Sequence, residues 1–119
     1  MKKSGFRELE VWRRSRDLAI LIYRLTADRS YIGDLNLKDQ MRRASISISS
    51  NIAEGDERGS NRESVRFFHI AKGSLAELIT QLEISEAVDL IDNDNFQKIN
   101  AECEMIGRML GKLIKVRKA

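Results

Sequence analysis

The spacing of apolar residues in the last quarter of this chain is its most restrictive feature. Six apolar side chains there follow one another at alternating steps of three and four residues: Phe96, Ile99, Cys103, Ile106, Leu110 and Leu113. Such a heptad pattern places all six on one face of an α-helix, where they pack against a neighbouring helix. We therefore predict a long helix here, with Asp92 or Asn93 as its N-cap.

Two more segments have apolar residues at helical spacing. One spans about residues 7–27, and its apolar face consists of Val11, Trp12, Leu18, Leu21, Ile22 and Leu25. The other begins at Ser60, which forms the sequence pattern of a capping box with Glu63, and extends to about Leu90. The predicted inner face of this second segment consists of Val65, Phe68, Leu75, Leu78, Ile79 and Leu82.

A fourth segment, residues 37–54, allows two interpretations. Its apolar residues recur at helical steps from Leu37 to Ile52, whereas residues 45–49 alternate serine with isoleucine, which is typical of a strand. No other segment could pair with such a strand, and a single strand is not stable alone. We therefore predict a helix, with Asn36 as its N-cap and Gly55 as its C-terminal stop.

The composition favours long helices over strands. The chain has 119 residues, seven glycines and no proline, although strand-rich folds of this size need frequent turns. Its length fits a single domain, residues 1–119, and short connections between long helices imply antiparallel neighbours. The predicted fold is therefore all-α, an antiparallel up-down-up-down four-helix bundle.

Such a bundle would separate the charges of the chain. Residues 1–16, 54–66 and 105–119 meet at one end with a formal charge of +8, whereas residues 24–42 and 81–98 give the other end −3. A basic end suits the phosphates of RNA or DNA, although basic residues in a last helical turn also complement the helix dipole. The candidate nucleic-acid-binding residues are Lys2, Lys3, Arg7, Arg13, Arg14, Arg16, Lys112, Lys115, Arg117 and Lys118.

Neither a secretory nor a membrane segment is predicted. The basic start of the chain has no apolar run behind it, and no stretch reaches the roughly 18 apolar residues of a membrane span. The single cysteine, Cys103, cannot form an intramolecular disulfide, which suits a reducing compartment. We therefore predict a cytoplasmic protein.

No catalytic, metal-binding or cofactor-binding site is predicted. His69 is the single histidine, and its helical neighbours Val65 and Gly73 offer neither a nucleophile nor a carboxylate. Cys103 lies in the apolar face of the last helix, which indicates a packing residue and not a reactive thiol. The sequence also lacks a phosphate-binding glycine loop. We therefore predict that the protein is not an enzyme.

Three residues are candidates for contacts between subunits. Gly107 and Gly111 form a G-x-x-x-G spacing, and each costs about 1 kcal/mol relative to alanine inside a helix. Two such glycines one turn apart suggest that another backbone comes close, from the second helix or from a neighbouring subunit. Phe67 points about 100° away from Phe68 on a helix. Phe68 therefore belongs to the core, and Phe67 is a candidate for a surface between subunits.

Four blocks of sequence together carry a family resemblance. They are FRELEVW at residues 6–12, QMRRAS at 40–45, SNIAEG at 50–55, and FHIAKGSLAEL with TQL at 68–82. With them the chain resembles the bacterial four helix bundle protein family, also called the 23S rRNA intervening sequence protein family. Two features depart from the family pattern. Leu25-Thr26 is not followed by Phe-Pro, and Ser49 stands where proline is frequent.

The resemblance implies an antiparallel four-helix bundle, a ring-shaped homopentamer and no enzymatic activity. The family takes its name from members encoded within insertions in ribosomal RNA genes, which suggests a connection with RNA. Our hypothesis is therefore a non-catalytic homopentamer that binds nucleic acid, RNA in preference to DNA, through its basic end. The alternative is a protein–protein scaffold or adaptor ring with no nucleic-acid role.

Overall fold

The computed structural model describes residues 5–31 and 33–118. Four α-helices account for most of this part of the chain: α1 Glu10–Thr26, α2 Leu35–Asp56, α3 Asn61–Ala87 and α4 Asn93–Lys118. Short 3-10 helices, Gly5–Glu8 and Arg29–Tyr31, precede α1 and α2. The all-α prediction is confirmed, and the serine–isoleucine alternation at residues 45–49 lies within α2.

The helices form an antiparallel bundle measuring 48 × 21 × 20 Å. Each of the four α-helices packs against the two beside it, in the cyclic order α1, α2, α3, α4, and the backbones of the diagonal pairs α1–α3 and α2–α4 do not approach each other closely. The contact between α2 and α3 is the most extensive, and that between α1 and α4 is the least. This is the predicted up-down-up-down arrangement. None of the described helices is long and apolar enough to cross a bilayer.

The core runs along the bundle axis and contains most of the predicted apolar faces. Its fully buried large side chains include Ile22, Ile48, Phe68, Leu78 and Ile106. Burying each such side chain contributes about 1.5–3 kcal/mol relative to leaving it in water.

The inward face of α1 is rotated from the prediction. Leu21 was assigned to the apolar face but is 42% exposed, whereas Ser15 and Ala19 are buried. The buried positions Val11, Ser15, Leu18 and Ile22 recur at steps of four, three and four residues. The small side chains of Ser15 and Ala19 thus lie where α1 packs against its neighbours. The sequence prediction missed them because it considered large apolar residues.

α2 begins two residues before the predicted start. Its N-cap is Asp34, whose carboxylate accepts a hydrogen bond from the Leu37 amide at 3.0 Å. The predicted N-cap, Asn36, lies inside the first turn. A carboxylate at this position also interacts favourably with the positive end of the helix dipole, which explains why the aspartate takes the role.

Gly55 does not end α2 as predicted, because it lies inside the last turn. A Cβ atom built on Gly55 would lie 2.7 Å from Cε1 of the buried Phe68 ring and 3.0 Å from Cβ of Phe67. The Ser64 hydroxyl donates a hydrogen bond of 2.6 Å to the Gly55 carbonyl. The glycine therefore permits the close crossing of α2 and α3 at this end of the bundle.

α3 starts as predicted and ends earlier. Ser60 caps it by accepting a hydrogen bond from the Glu63 amide, and the helix stops at Ala87 instead of Leu90. Asp89 has a left-handed φ of 64°, and the Leu90 amide donates back to the Ser85 carbonyl at 2.8 Å. This bond closes a Schellman motif, which aspartate tolerates better than most residues.

Candidate nucleic-acid interface

The start of α1 and the end of α4 lie at the same end of the bundle. Arg117 in the last turn of α4 bonds Asp56 at the end of α2, with Nη2 and Oδ1 2.7 Å apart. A Cβ on Gly5, just before α1, would lie 2.9 Å from Oε2 of Glu57. We call this end the basic pole and define it as residues 5–16, 54–66 and 105–118. At the opposite pole, the loop before α2 contacts the loop before α4, because the Ser30 hydroxyl donates a 3.0 Å hydrogen bond to the Leu90 carbonyl.

The basic pole keeps a positive charge without the first residues of the chain. Lys2 and Lys3 were predicted to contact nucleic acid but lie outside the described residues. Omitting these two lysines lowers the formal charge of this end from +8 to +6. The other eight predicted cations all lie on the first turns of α1, on the adjoining 3-10 helix, or on the end of α4.

Two of these cations form ion pairs that connect different helices, and a third, Arg16, pairs with its exposed neighbour Asp17 at 3.0 Å. Arg14 bonds Glu10 through Nε and Glu102 on α4 through Nη1, each at 3.2 Å. The hydrogen bond with Glu10, followed by the charge of Glu102, raises the pKa of Arg14. Arg117 is more deeply held, since its side chain is 23% exposed and that of Asp56 only 13%. Both arginines therefore connect helices of the same chain.

The remaining predicted cations are exposed. Lys112, Lys115 and Lys118 project from α4, and among the described residues no carboxylate forms an ion pair with them. Arg7 and Arg13 are exposed as well, and Arg13 donates a 2.7 Å hydrogen bond to the Arg7 carbonyl. Lys112 lines a groove of about 400 Å³ between α1 and α4, beside Glu10. The head and the tail of the described chain thus form one basic surface.

Three arginines of the α2–α3 hairpin join this surface, although the sequence analysis did not name them as contacts. Arg58 and Arg66 flank the Phe67 ring, with Cζ atoms 4.5 and 5.0 Å from its centroid. Arg62 lines a groove of about 390 Å³ that also includes Lys118. The hairpin has one more acidic than basic residue. Two of its acidic residues form ion pairs, Glu54 with Arg58 at 2.6 Å and Asp56 with Arg117 of α4.

The structure places the three predicted interface residues differently from one another. A Cβ on Gly107 would lie 3.4 Å from Cδ2 of Leu75, so Gly107 faces α3 of the same chain and not α2. Gly111 has no atom within 4 Å of that position and borders open space. Phe67 is partly buried between Arg58 and Arg66. Of the three, Gly111 leaves the most room for another chain.

Cys103 is a packing residue, as its position in the heptad indicated. It is fully buried on α4. Burial, reinforced by the charges of Glu102 and Glu104, raises the pKa of its thiol from 9.0 to about 12. His69, by contrast, is exposed on α3.

We expect the free energy of unfolding to decrease above about pH 9, because the unfolded chain ionises its thiol there and the folded chain does not. The contribution of the neutral Cys103 thiol is complete below that pH and is lost progressively toward pH 12. The slope attributable to the thiol approaches about 1.4 kcal/mol per pH unit. Urea unfolding of the native chain and of Cys103→Ala between about pH 9 and pH 12 measures this slope. Equal pH slopes for the two proteins would contradict the expectation.

Comparison with known proteins assigns the chain to a family. A sequence model of the family described as 23S rRNA-intervening sequence protein matches residues 7–112. The chain belongs to this family. The resemblance seen in the four sequence blocks is therefore confirmed. No curated protein sequence matches the chain.

A solved structure supports the fold of this family member. It is the crystal structure of a protein of unknown function from the S23 ribosomal protein family of Bacteroides thetaiotaomicron. The two superpose with a TM-score of 0.82 at 23% sequence identity, over 88% of this chain and 98% of the other. At this identity the similarity shows the shared four-helix fold alone.

The two departures from the family pattern have clear local structures. α1 ends at Thr26, whose hydroxyl donates to the Ile22 carbonyl at 2.7 Å and accepts from Arg42 Nε at 2.8 Å. Ser49 lies in a continuous α2 and donates to the Ile46 carbonyl at 3.2 Å. Side-chain hydrogen bonds thus stabilise the end of α1 and the continuous helix at Ser49.

Proposed function

We propose that this member of the 23S rRNA-intervening sequence protein family is a non-catalytic homopentamer that binds nucleic acid, with RNA preferred over DNA. The observation that carries the proposal is the basic pole, where α1, α3 and α4 contribute exposed cations without carboxylate partners among the described residues. Such cations release counterions from a phosphate backbone and so drive binding with little sequence selectivity. The family name supports RNA as the preferred polymer.

Self-association would multiply the effect of this surface. Five copies of a chain with a formal charge of +3 carry +15. A common axis would bring five basic poles to one face, so that weak phosphate contacts act together. Exposed apolar side chains on the outer faces of α2 and α3 support a subunit interface, since Ile46 and Ile70 are each 43% exposed and Ile84 is 48% exposed. Light scattering tests the number of copies, because five chains of 13.6 kDa give 68 kDa.

The binding experiment compares two lysines of one helix. We expect Lys115→Ala to weaken binding to a fluorescently labelled single-stranded RNA. The slope of log K against log salt should fall by about 0.7 for each phosphate that the variant no longer neutralises. Lys98→Ala is the matched control, because Lys98 is also exposed on α4 but lies about 25 Å away along the helix axis. Fluorescence anisotropy at several salt concentrations gives both quantities.

A salt-independent affinity, or equal effects of the two substitutions, would refute the role of the basic pole. The alternative function, a protein–protein scaffold, would then be favoured. It is favoured by exposed apolar residues toward the opposite, acidic pole, where Leu35 is 59% and Val88 is 56% exposed. Protein partners retained after nuclease treatment would distinguish that function from RNA binding.

A further inference from the structure

Two aromatic rings and three arginines form a continuous surface at the start of α1, which we call the arginine–aromatic cluster: Phe6, Arg7, Trp12, Arg13 and Arg16. The rings of Phe6 and Trp12 meet edge to face, with centroids 5.0 Å apart and planes at 61°. Arg7 lies over the Phe6 ring with Cζ 4.7 Å from its centroid, and Arg16 lies over the Trp12 ring at 5.2 Å. Arg13 bonds the Arg7 carbonyl and so joins the two ends of the cluster.

The arginines of this cluster remain accessible to a ligand. Arg7 and Arg13 are exposed. Arg16 forms an ion pair with Asp17, but the two side chains are 48% and 65% exposed, and such surface pairs are weak. Arg42, which lies 4.3 Å from the Tyr23 centroid, differs because its guanidinium is held by hydrogen bonds to Thr26 and to the Tyr23 carbonyl.

Packing within the chain explains only part of the cluster. Trp12 is partly buried against the hydrophobic core, whereas Phe6 is partly exposed and lies outside that core. Exposed arginines placed beside aromatic faces are the combination that proteins use to bind single-stranded nucleic acid. Bases stack on the aromatic rings or on guanidinium planes, and cations contact the phosphates between them.

We infer that the arginine–aromatic cluster is a stacking site for unpaired bases of single-stranded RNA. The inference rests on the proposed function and specifies its ligand. Bases extend the stack from the outer faces of the Arg7 and Arg16 guanidinium groups, while Arg13 contacts a phosphate. A duplex cannot use this site, because its bases are already stacked and paired. The protein therefore binds single strands more tightly than duplexes of the same length.

Trp12 is the single tryptophan of the chain, so its fluorescence reports directly on the cluster. The probes are an oligouridylate longer than the roughly 4 to 16 nucleotides that one such site covers, and an RNA duplex of equal length. We expect the oligouridylate to quench Trp12 fluorescence, with the same midpoint as its anisotropy titration. The duplex should leave the fluorescence nearly unchanged.

The deciding variant is Phe6→Leu, which removes one ring from outside the core and keeps the reporter. We expect its affinity for the oligouridylate to fall about 5-fold to 150-fold, the contribution of one stacked base, because the Phe6 ring positions the Arg7 guanidinium on which that base stacks. Tyr23→Leu is the matched control, because it removes another arginine-covered ring, which lies about 16 Å beyond Trp12 along α1. Its affinity should equal that of the native chain, and thermal unfolding should show both variants folded.

The outcomes separate this inference from the proposed function. The stacking site would be overturned, and the basic pole left intact, if RNA binding depends on salt but shows any one of three results. These are no quenching of Trp12, an unchanged affinity in Phe6→Leu, or equal affinity for duplex and single strand. Absence of any nucleic-acid binding at low salt would overturn both.

Discussion

Replacing Gly55 with alanine is expected to lower the free energy of unfolding by about 1 kcal/mol, although alanine is the better helix former. The added methyl group would lie 2.7 Å from Cε1 of Phe68, whose ring is fully buried. Neither α2 nor the ring can move freely, because the Ser64 hydroxyl bonds the Gly55 carbonyl across the same crossing. Overpacking of this kind costs about 1–3 kcal/mol and exceeds the gain of about 1 kcal/mol in helix propensity.

Gly73→Ala is the matched control for this substitution. Gly73 also lies inside a helix, but a Cβ built on it meets no atom within 4 Å. We therefore expect Gly73→Ala to raise stability by up to about 1 kcal/mol through helix propensity alone. Urea unfolding of both variants gives the comparison. A Gly55→Ala protein as stable as Gly73→Ala would show that the α2–α3 crossing relaxes easily.

Replacing Asp56 with alanine is expected to cost about 2 kcal/mol. The substitution leaves the Arg117 guanidinium with no anionic partner among the described residues, where its side chain is 23% exposed and its Cζ atom lies 5.4 Å from the Phe68 centroid. Removing one member of a buried pair costs about 3–5 kcal/mol, and partial exposure reduces that penalty. Asp17→Ala is the control. It breaks the exposed pair with Arg16 and should change stability by less than about 1 kcal/mol.

A double-mutant cycle with Arg117→Met tests the pairing itself. If the two side chains interact as described, the double variant should lose less than the sum of the single losses, with a coupling of about 1 kcal/mol or more. Additive losses would mean that each residue contributes separately. RNA affinity gives a second measurement. Because Arg117 is paired with Asp56, we expect Arg117→Met to change the affinity for RNA little.

The helices and their order could be predicted because their signals are local. Heptad spacing in α4 and the serine cap of α3 depend on residues within one or two turns of each other. The antiparallel path then follows from the short connections, and it correctly brings the end of α4 beside the start of α1. The bundle architecture was therefore accessible from the sequence without any knowledge of contacts.

Features that depend on contacts between helices were not accessible in the same way. Gly55 has the sequence signature of a helix stop, yet its role is set by the Phe68 ring on another helix. Likewise, a count of charges treats Arg14 and Arg117 as equal to Lys115. Their different availability follows from Glu102 and Asp56, which are 88 and 61 residues away in the chain. The composition of the basic pole could be predicted, but the cations left free within it could not.

The contact between α1 and α4 has a consequence for how the chain acquires its structure. Among the four α-helices, it is the one extended packing of backbones between helices that are not consecutive in sequence, and it is also the least extensive. Closing it requires a long loop to be ordered first, whereas α2 and α3 meet through a hairpin of a few residues. The α2–α3 hairpin is therefore the natural nucleus for folding. α1 should be the last helix to dock and the first whose amide protons exchange with solvent.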